Sequence, residues 1–243
     1  MACFSYDIVI PVHNEAPNVG SLFLEIVAAT CDEPPQTIIF VDDASTDGSA
    51  QEIAALHSEH GSIVGLVRNH RRSGQSTAVY NGVHASGSDW IITLDGDGQN
   101  DPADIPRVLD ALRESAERDV LVIGHRVHRA DTWLKRRASR VANGVRGRLL
   151  GDLAPDTGCG LKGFSRDVFL SLPYFDHMHR FMPALIQQAG GDVVSIPVHH
   201  RPRTAGQSKY GIFDRLWVGI VDLFGVAWLA RRNKRTAWTR TGT

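Results

Sequence analysis

The sequence predicts an α/β fold: a mostly parallel sheet with helices on both faces. Two observations carry this reading. Short runs rich in Ile and Val alternate with longer helical patterns through the first half, and the polar, Gly-containing segments fall directly after those runs. Such alternation is the signature of βαβ units, and in sheets of this kind ligands sit beyond the carboxyl ends of the strands.

In chain order, strands are expected at residues 6–12, 37–42, 62–67, 90–94 and 120–124. The helices between them are expected at 18–29, 49–60, 75–85 and 102–117, several starting just after Asp, Ser or Pro, as helix starts do. After Gly124 the pattern changes to a basic helical stretch at 133–150, a Gly-rich segment at 156–163, a helix at 178–188 and a strand at 193–198. No repeat or low-complexity linker interrupts it. One main domain is therefore expected over 1–210, followed over 211–243 by an amphipathic helix and a basic tail.

A chain of 243 residues with 42% hydrophobic composition can bury a full core. The net charge of -1 conceals an asymmetry: residues 1–124 hold 6 Lys and Arg against 19 Asp and Glu, and residues 125–243 hold 20 against 8. An acidic half suits metal chemistry, and a basic half suits phosphates or an acidic membrane face, with nucleic acid as the rival partner. Cys3, Cys31 and Cys159 are odd in number and lack CxxC spacing, which argues against a disulfide framework or a zinc site and for a reducing cytoplasm. The first apolar run stops at Pro11, His13 and Asn14 with no basic segment before it, so no signal peptide is expected. No apolar stretch approaches the ~20 residues of a spanning helix. The chain is not expected to cross a membrane unaided.

The first strand ends in Pro11-Val12-His13-Asn14-Glu15 and the second in Val41-Asp42-Asp43. Carboxylates at neighbouring strand ends can accept hydrogen bonds from a ribose or from a base N–H. The fourth strand runs into Asp95-Gly96-Asp97-Gly98-Gln99. Residues two apart on an extended segment share a face, so Asp95 and Asp97 can present carboxylates to one hard cation that also bridges phosphate oxygens. This predicts a Mg²⁺ or Mn²⁺ diphosphate site. Pro102 and the helix after it leave no room for a twelve-residue calcium loop.

Together with these segments, DTGCGLKGF at 156–164 and RTAGQSKYG at 203–211 complete a pattern that resembles family 2 glycosyltransferases of GT-A (Rossmann-like) fold, particularly the dolichol- or polyprenyl-phosphate sugar synthases. The resemblance runs from Tyr6 to about Leu229. It implies inverting, metal-dependent transfer of a sugar from a UDP- or GDP-sugar to a polyprenyl phosphate. By position, Pro11, Asn14, Glu15, Asp42 and Asp43 would form the nucleotide pocket, and Asp95, Asp97 and Gln99 would hold the metal and donor diphosphate. The family's glycine-rich stretch with a basic residue stands here as residues 71–76, with Gln75 where many relatives have Lys.

Gly124-His125-Arg126 resembles the family's G-S-R element, whose Arg would hold the acceptor phosphate, and Lys135, Arg136 and Ser139 would add to the clamp. Arg203 and Lys209 would lie on a mobile loop that closes over the diphosphate and neutralises the leaving group. His13, His125, His179, His199 and His200 are read as pocket walls or surface, because a phosphate monoester is already anionic near neutral pH, with a second pKa of ~6. A hydroxyl acceptor on a glycan or lipid is the alternative. It would need a base, and Asp156 is the candidate.

Residues 213–229 read FDRLWVGIVDLFGVAWL. On a helix the polar positions and glycines gather on one arc, leaving a wide apolar face with Trp217, Phe224 and Trp228, and Arg231, Arg232, Lys234 and Arg235 follow. That pattern predicts a helix lying in the interface of a membrane's cytoplasmic face. Core packing or an oligomer contact is the alternative. The implied partners are a nucleotide sugar, a polyprenyl phosphate, a membrane surface, and a membrane-spanning partner or a second copy of the chain; nucleic acid is not among them.

Overall fold

The computed structural model describes residues 4–115, 119–126, 144, 147, 149–151, 154, 156–202 and 212–232. Strands β1 (Tyr6–Val12), β2 (Ile38–Asp42), β3 (Val64–Arg68), β4 (Trp90–Thr93), β5 (Val120–Arg126), β6 (Lys162–Ser165) and β7 (Asp192–Val198) form one sheet in the order β3-β2-β1-β4-β6-β5-β7. β6 runs antiparallel to β4 and β5, and the other four pairings are parallel. The expected mostly parallel sheet is what the chain forms.

Its strands alternate side chains between two cores. Tyr6, Ile8, Ile10 and Val12 of β1 join Ile38 and Phe40 of β2 under helices α1 (Ala16–Ala29), α2 (Ser49–His60) and α4 (Ile105–Glu114). Val9, Ile39, Val41 and Ile91 face the opposite side, under α3 (Gln75–Ala85), α5 (Arg166–Ser171), α6 (Met182–Gln188) and α7 (Ile212–Arg232). Sequence spacing makes the fit: α1 buries Val19, Leu22, Phe23 and Ile26, and α4 buries Ile105, Val108, Leu109 and Leu112, each set on one helical stripe. Each fully buried Ile or Phe contributes roughly 1.5–3 kcal/mol.

Several elements differ from the sequence expectation; the helix expected at 102–117, for one, is a 3₁₀ turn, Pro102–Asp104, followed by α4 at Ile105–Glu114. The strand expected from 62 starts at Val64, because Gly61, at φ 64°, opens a 3₁₀ turn over Gly61–Ile63. The helix expected at 178–188 is a 3₁₀ turn, Met178–Arg180, followed by α6, whose first turn holds Pro183. The Gly-rich segment ends in β6, which has only four residues and carries a buried Lys162 where an apolar residue would announce a strand.

α7 is apolar nearly all round, and the structure divides that surface. Val226 and Ala227 are buried in the second core, while Val221, Phe224 and Trp228 are exposed and Arg231 and Arg232 flank them. Asp222 lies between, with its Oδ2 3.1 Å from His177 Nδ1, so part of the polar arc faces the protein. Trp217, Lys234 and Arg235 lie outside the described side chains.

Candidate active site

β1 and β2 end side by side, with Val12 in register with Asp42. The loops that follow are laced together. Asn14, at φ 56°, donates its N–H to Ser45 Oγ (2.9 Å) and accepts from the Thr46 N–H (2.7 Å). The Glu15 N–H reaches Ser49 Oγ (2.9 Å), and the Glu15 carboxylate accepts from Asn18 Nδ2 (2.7 Å). Asp47 accepts from the N–H groups of Ala16 and Ser49 and from the Ser49 hydroxyl. Burial pushes the Asp47 carboxyl up, but these hydrogen bonds outweigh it and hold the group below its usual range.

The two consecutive aspartates have different surroundings. Asp43 accepts three hydrogen bonds: Asn69 Nδ2, the Ser73 N–H and the Gly74 N–H each donate to it at 2.8 Å, which fastens the loop leading into α3. Asp42 is fully buried, and its Oδ1 accepts from the Ser45 N–H (3.0 Å). Among the described residues its Oδ2 makes no hydrogen bond, and it faces Arg68 Nε at 3.5 Å.

The turn after β4 carries Asp95 and Asp97. The Asp95 N–H donates to Asn100 Oδ1 (3.0 Å), Gln75 Nε2 donates to Asp95 Oδ1 (2.7 Å), and Asp97 Oδ1 accepts from the Gln99 N–H (3.1 Å). Two glycines permit the crowding. A Cβ at Gly96 would lie 2.8 Å from the Pro11 carbonyl oxygen, and one at Gly160 would lie 2.3 Å from the Asp95 carboxylate. Burial, and then the negative charge of Asp97, push the Asp95 carboxyl up to about 6, against the opposing pull of Lys162, Arg126 and Gln75.

The Gln99 carbonyl accepts from the Arg201 N–H (3.0 Å), and the Arg201 guanidinium joins Glu25 to Asp101. This pins the Asp95–Asp97 turn to the residues just before position 203.

Arg126 ends β5. Its Nε and Nη2 donate to the two carboxylate oxygens of Asp156 at 2.6 and 2.8 Å. Burial opposes the guanidinium charge, but Asp156 more than offsets it and raises the Arg126 pKa. Lys162 is paired in the ladders with Thr93 of β4 and Ile123 of β5, and its Nζ donates to the Cys159 carbonyl. Burial lowers its pKa against the opposing pull of Cys159, Asp95 and Asp156. His179 Nδ1 lies 2.7 Å from the Ser76 hydroxyl, and burial together with nearby Lys162 holds the ring well below the usual histidine range.

The residues singled out from the sequence thus gather at the carboxyl ends of the strands: Asp42 at the end of β2 with Asp43 after it, Pro11 near the end of β1 with Asn14 and Glu15 after it, Asp95, Asp97 and Gln99 after β4, and Arg126 at the end of β5. Lys135, Arg136, Ser139, Arg203 and Lys209 lie outside the described residues. Among the described residues no group of three or more His, Cys, Asp or Glu is placed to hold a metal ion. Sequence reasoning assigned no role to Lys162, Asn100 or Arg201. Lys162 stands inside the DTGCGLKGF segment, but only the unexpected β6 brings it beside Asp95.

Residues 7–172 match the family described as Glycosyl transferase family 2. The chain is 36% identical over 208 residues to an undecaprenyl-phosphate 4-deoxy-4-formamido-L-arabinose transferase of Edwardsiella ictaluri, a match covering 84% of this chain and 62% of that relative. It is 34% identical over 232 residues to a dodecaprenyl-phosphate galacturonate synthase of Rhizobium johnstonii, covering 94% of this chain and 68% of that one. The chain therefore spans about three fifths to two thirds of the length of these relatives. In structure it resembles glucosyl-3-phosphoglycerate synthase from Mycobacterium tuberculosis, crystallised with Mg²⁺ and UDP, at a TM-score of 0.68 and 17% identity, covering 93% of this chain and 80% of that one. The GT-A-like fold is common to both. With the family match covering most of its length, this chain belongs to glycosyl transferase family 2.

Proposed function

We propose that this chain transfers a sugar from a nucleotide sugar to the phosphate of a polyprenyl lipid, with inversion at the anomeric carbon and a requirement for Mg²⁺ or Mn²⁺. One observation carries the reading: groups suited to a base, a diphosphate and an acceptor phosphate follow one another across the carboxyl ends of the strands. Asp42 Oδ2, beside Arg68 Nε at 3.5 Å, is a buried acceptor without a hydrogen bond among the described residues, and it suits a base N–H. Asp95 and Asp97 come next, and Arg126 stands beyond them. Both relatives are named for transfer to a prenyl phosphate.

The residues fit a divalent cation. Asp97 helps to raise the Asp95 pKa, a like-charge repulsion that a bound cation relieves. Mg²⁺ is commonly held by one or two carboxylates, with substrate phosphates and water completing the shell. When bound, it would neutralise charge on the departing diphosphate. Asp95 and Asp97 would hold it, and the Gln99 backbone supports Asp97.

The chain's own residues do the rest. Asp42 and the Asn14–Glu15 loop seat the nucleoside, and Asp43 keeps the neighbouring 69–74 loop in place. Arg126 holds the acceptor phosphate, whose oxygen is already anionic and attacks the anomeric carbon from the side opposite the leaving diphosphate. A bond forms from phosphate oxygen to carbon as the bond from carbon to the diphosphate oxygen breaks. Asp156 shares both of its oxygens with Arg126, an arrangement that suits a positioning residue better than a free general base.

The exposed stripe Val221, Phe224 and Trp228, with Arg231 and Arg232, suits docking on the anionic cytoplasmic face of a membrane, where the lipid acceptor resides. Among the described residues no helix is long and apolar enough to cross a membrane. The test is turnover of a panel that includes UDP-glucose, UDP-galacturonate and GDP-mannose with a short polyprenyl phosphate and Mn²⁺. Release of UDP or GDP with formation of a glycosyl phospholipid is expected. Transfer to sugar hydroxyls alone would refute the acceptor assignment.

A further inference from the structure

Lys162 is 4% exposed and lies in the middle of the sheet. Its ammonium has three N–H donors, yet among the described residues it gives one hydrogen bond, to the Cys159 carbonyl. A buried cation with unmet donors is costly, and an apolar side chain of similar volume would serve packing better. Something other than packing accounts for a lysine here.

Its surroundings point to an oxygen ligand. With Pro11, Gln75, Asp95, His179 and Met182 it lines a cavity with room for one water-sized group. The His179 ring, held by Ser76 at Nδ1, gives no hydrogen bond from Nε2 among the described residues and supplies a second polar atom. Arg126 and Asp156 are absent from this lining, whereas Asp95 belongs to it. The cavity is therefore on the donor side of the site rather than the acceptor side.

We propose that Lys162 is a donor-binding residue whose ammonium receives an oxygen of the nucleotide sugar, from the diphosphate or from the transferred sugar. This rests on the glycosyltransferase reading above. It adds a buried cation, contributed by the antiparallel strand, to the acidic residues after β4. On binding, the oxygen meets the donors that the described residues leave unmatched.

The experiment compares wild type with Lys162→Met and Lys162→Arg, each checked for folding by thermal denaturation, in calorimetric titrations with Mn²⁺ and UDP, UDP-glucose, GDP or GDP-mannose. For the nucleotide that wild type binds, Lys162→Met should weaken Kd by roughly 10- to 100-fold, with turnover falling in step and Lys162→Arg recovering part of the loss. Equal weakening for nucleoside diphosphate and nucleotide sugar assigns the oxygen to the diphosphate; weakening confined to the nucleotide sugar assigns it to the sugar. A folded Lys162→Met that binds like wild type overturns the assignment and leaves glycosyl transfer standing. Wild type that binds none of the four overturns both. If Lys162→Met does not fold, Lys162→Gln removes the charge while keeping a donor for the Cys159 carbonyl, and the same titrations decide the matter.

Discussion

Arg126 and Asp156 meet side-on, with Nε and Nη2 of the guanidinium on the two oxygens of one carboxylate at 2.6 and 2.8 Å. The pairing occupies one edge of the fork, and among the described residues Nη1 is left for an incoming anion. Arg126→Ala should raise the apparent KM for lipid phosphate by about 10-fold or more while moving that for the donor far less. Asp156→Asn should shift the same KM in the same direction, because it loosens the arginine without touching the donor. Steady-state kinetics with each substrate varied in turn are the measurement, and equal effects on both substrates would contradict the assignment.

Asp97→Asn should lower turnover by at least ~100-fold, since a neutral amide is a poor substitute for a carboxylate on a divalent cation. Chelation by EDTA should abolish the wild-type activity, and Mn²⁺ or Mg²⁺ should restore it. Full activity in EDTA would remove the metal from the mechanism.

Asp42 and Asp43 adjoin in sequence yet should fail differently. Asp43→Ala leaves three donors of the 69–74 loop unmatched and should cost about 2–4 kcal/mol, read as a lower urea midpoint. Asp42→Asn keeps the side-chain shape and an acceptor for Ser45, so it should fold nearly as well while binding the nucleotide roughly 10-fold more weakly. A stability loss equal to that of Asp43→Ala would make Asp42 a structural residue.

His179 supplies a pH dependence whose sign is set by its depressed pKa. The folded ring stays neutral, while the ring in the unfolded chain takes up a proton as pH falls below ~6.5. The unfolded state then binds more protons, so stability is full above that pH and declines below it. Asp95, raised to about 6, acts in the opposite sense over the range from its ordinary value up to that pKa, but it does so in wild type and variant alike. His179→Gln should therefore show a shallower fall in urea midpoint between about pH 7 and about pH 5.5 than wild type. Parallel profiles would mean that the ring titrates normally.

The sheet and the acidic residues at its carboxyl end were legible because their signals are local: Val and Ile runs, Gly after Asp, and Asp95 and Asp97 spaced for one face. β6 was not, since Lys162 and Gly163 carry no strand pattern and become a strand only by pairing with β4 and β5. The Arg126–Asp156 pair was equally hidden. Both residues had been noted, but nothing local joins positions 30 apart. Asp42 and Asp43 read alike in the sequence, and only the returning 69–74 loop tells them apart.

The helical periodicity of α7 allowed core packing, an oligomer contact or a membrane-facing role, and the observed burial divides the helix: Val226 and Ala227 point inward while Phe224 and Trp228 stand 63% and 59% exposed. The Arg232 guanidinium sits over the Trp228 ring, 5.6 Å from its centroid, so cation and aromatic share the outer face. Such a face combines apolar burial in the lipid interface with attraction to anionic headgroups, about 1 kcal/mol per Lys or Arg near the surface. Binding to anionic vesicles should weaken as salt rises. Phe224→Glu with Trp228→Glu should release the protein from those vesicles and leave Mn²⁺-dependent nucleotide binding intact, because neither side chain packs in the core that carries the strand ends. Vesicle co-sedimentation beside a nucleotide titration of the same variant measures both. Retained vesicle binding would turn this face into a protein contact, whereas loss of nucleotide binding as well would make the outer stripe a structural part of the catalytic body.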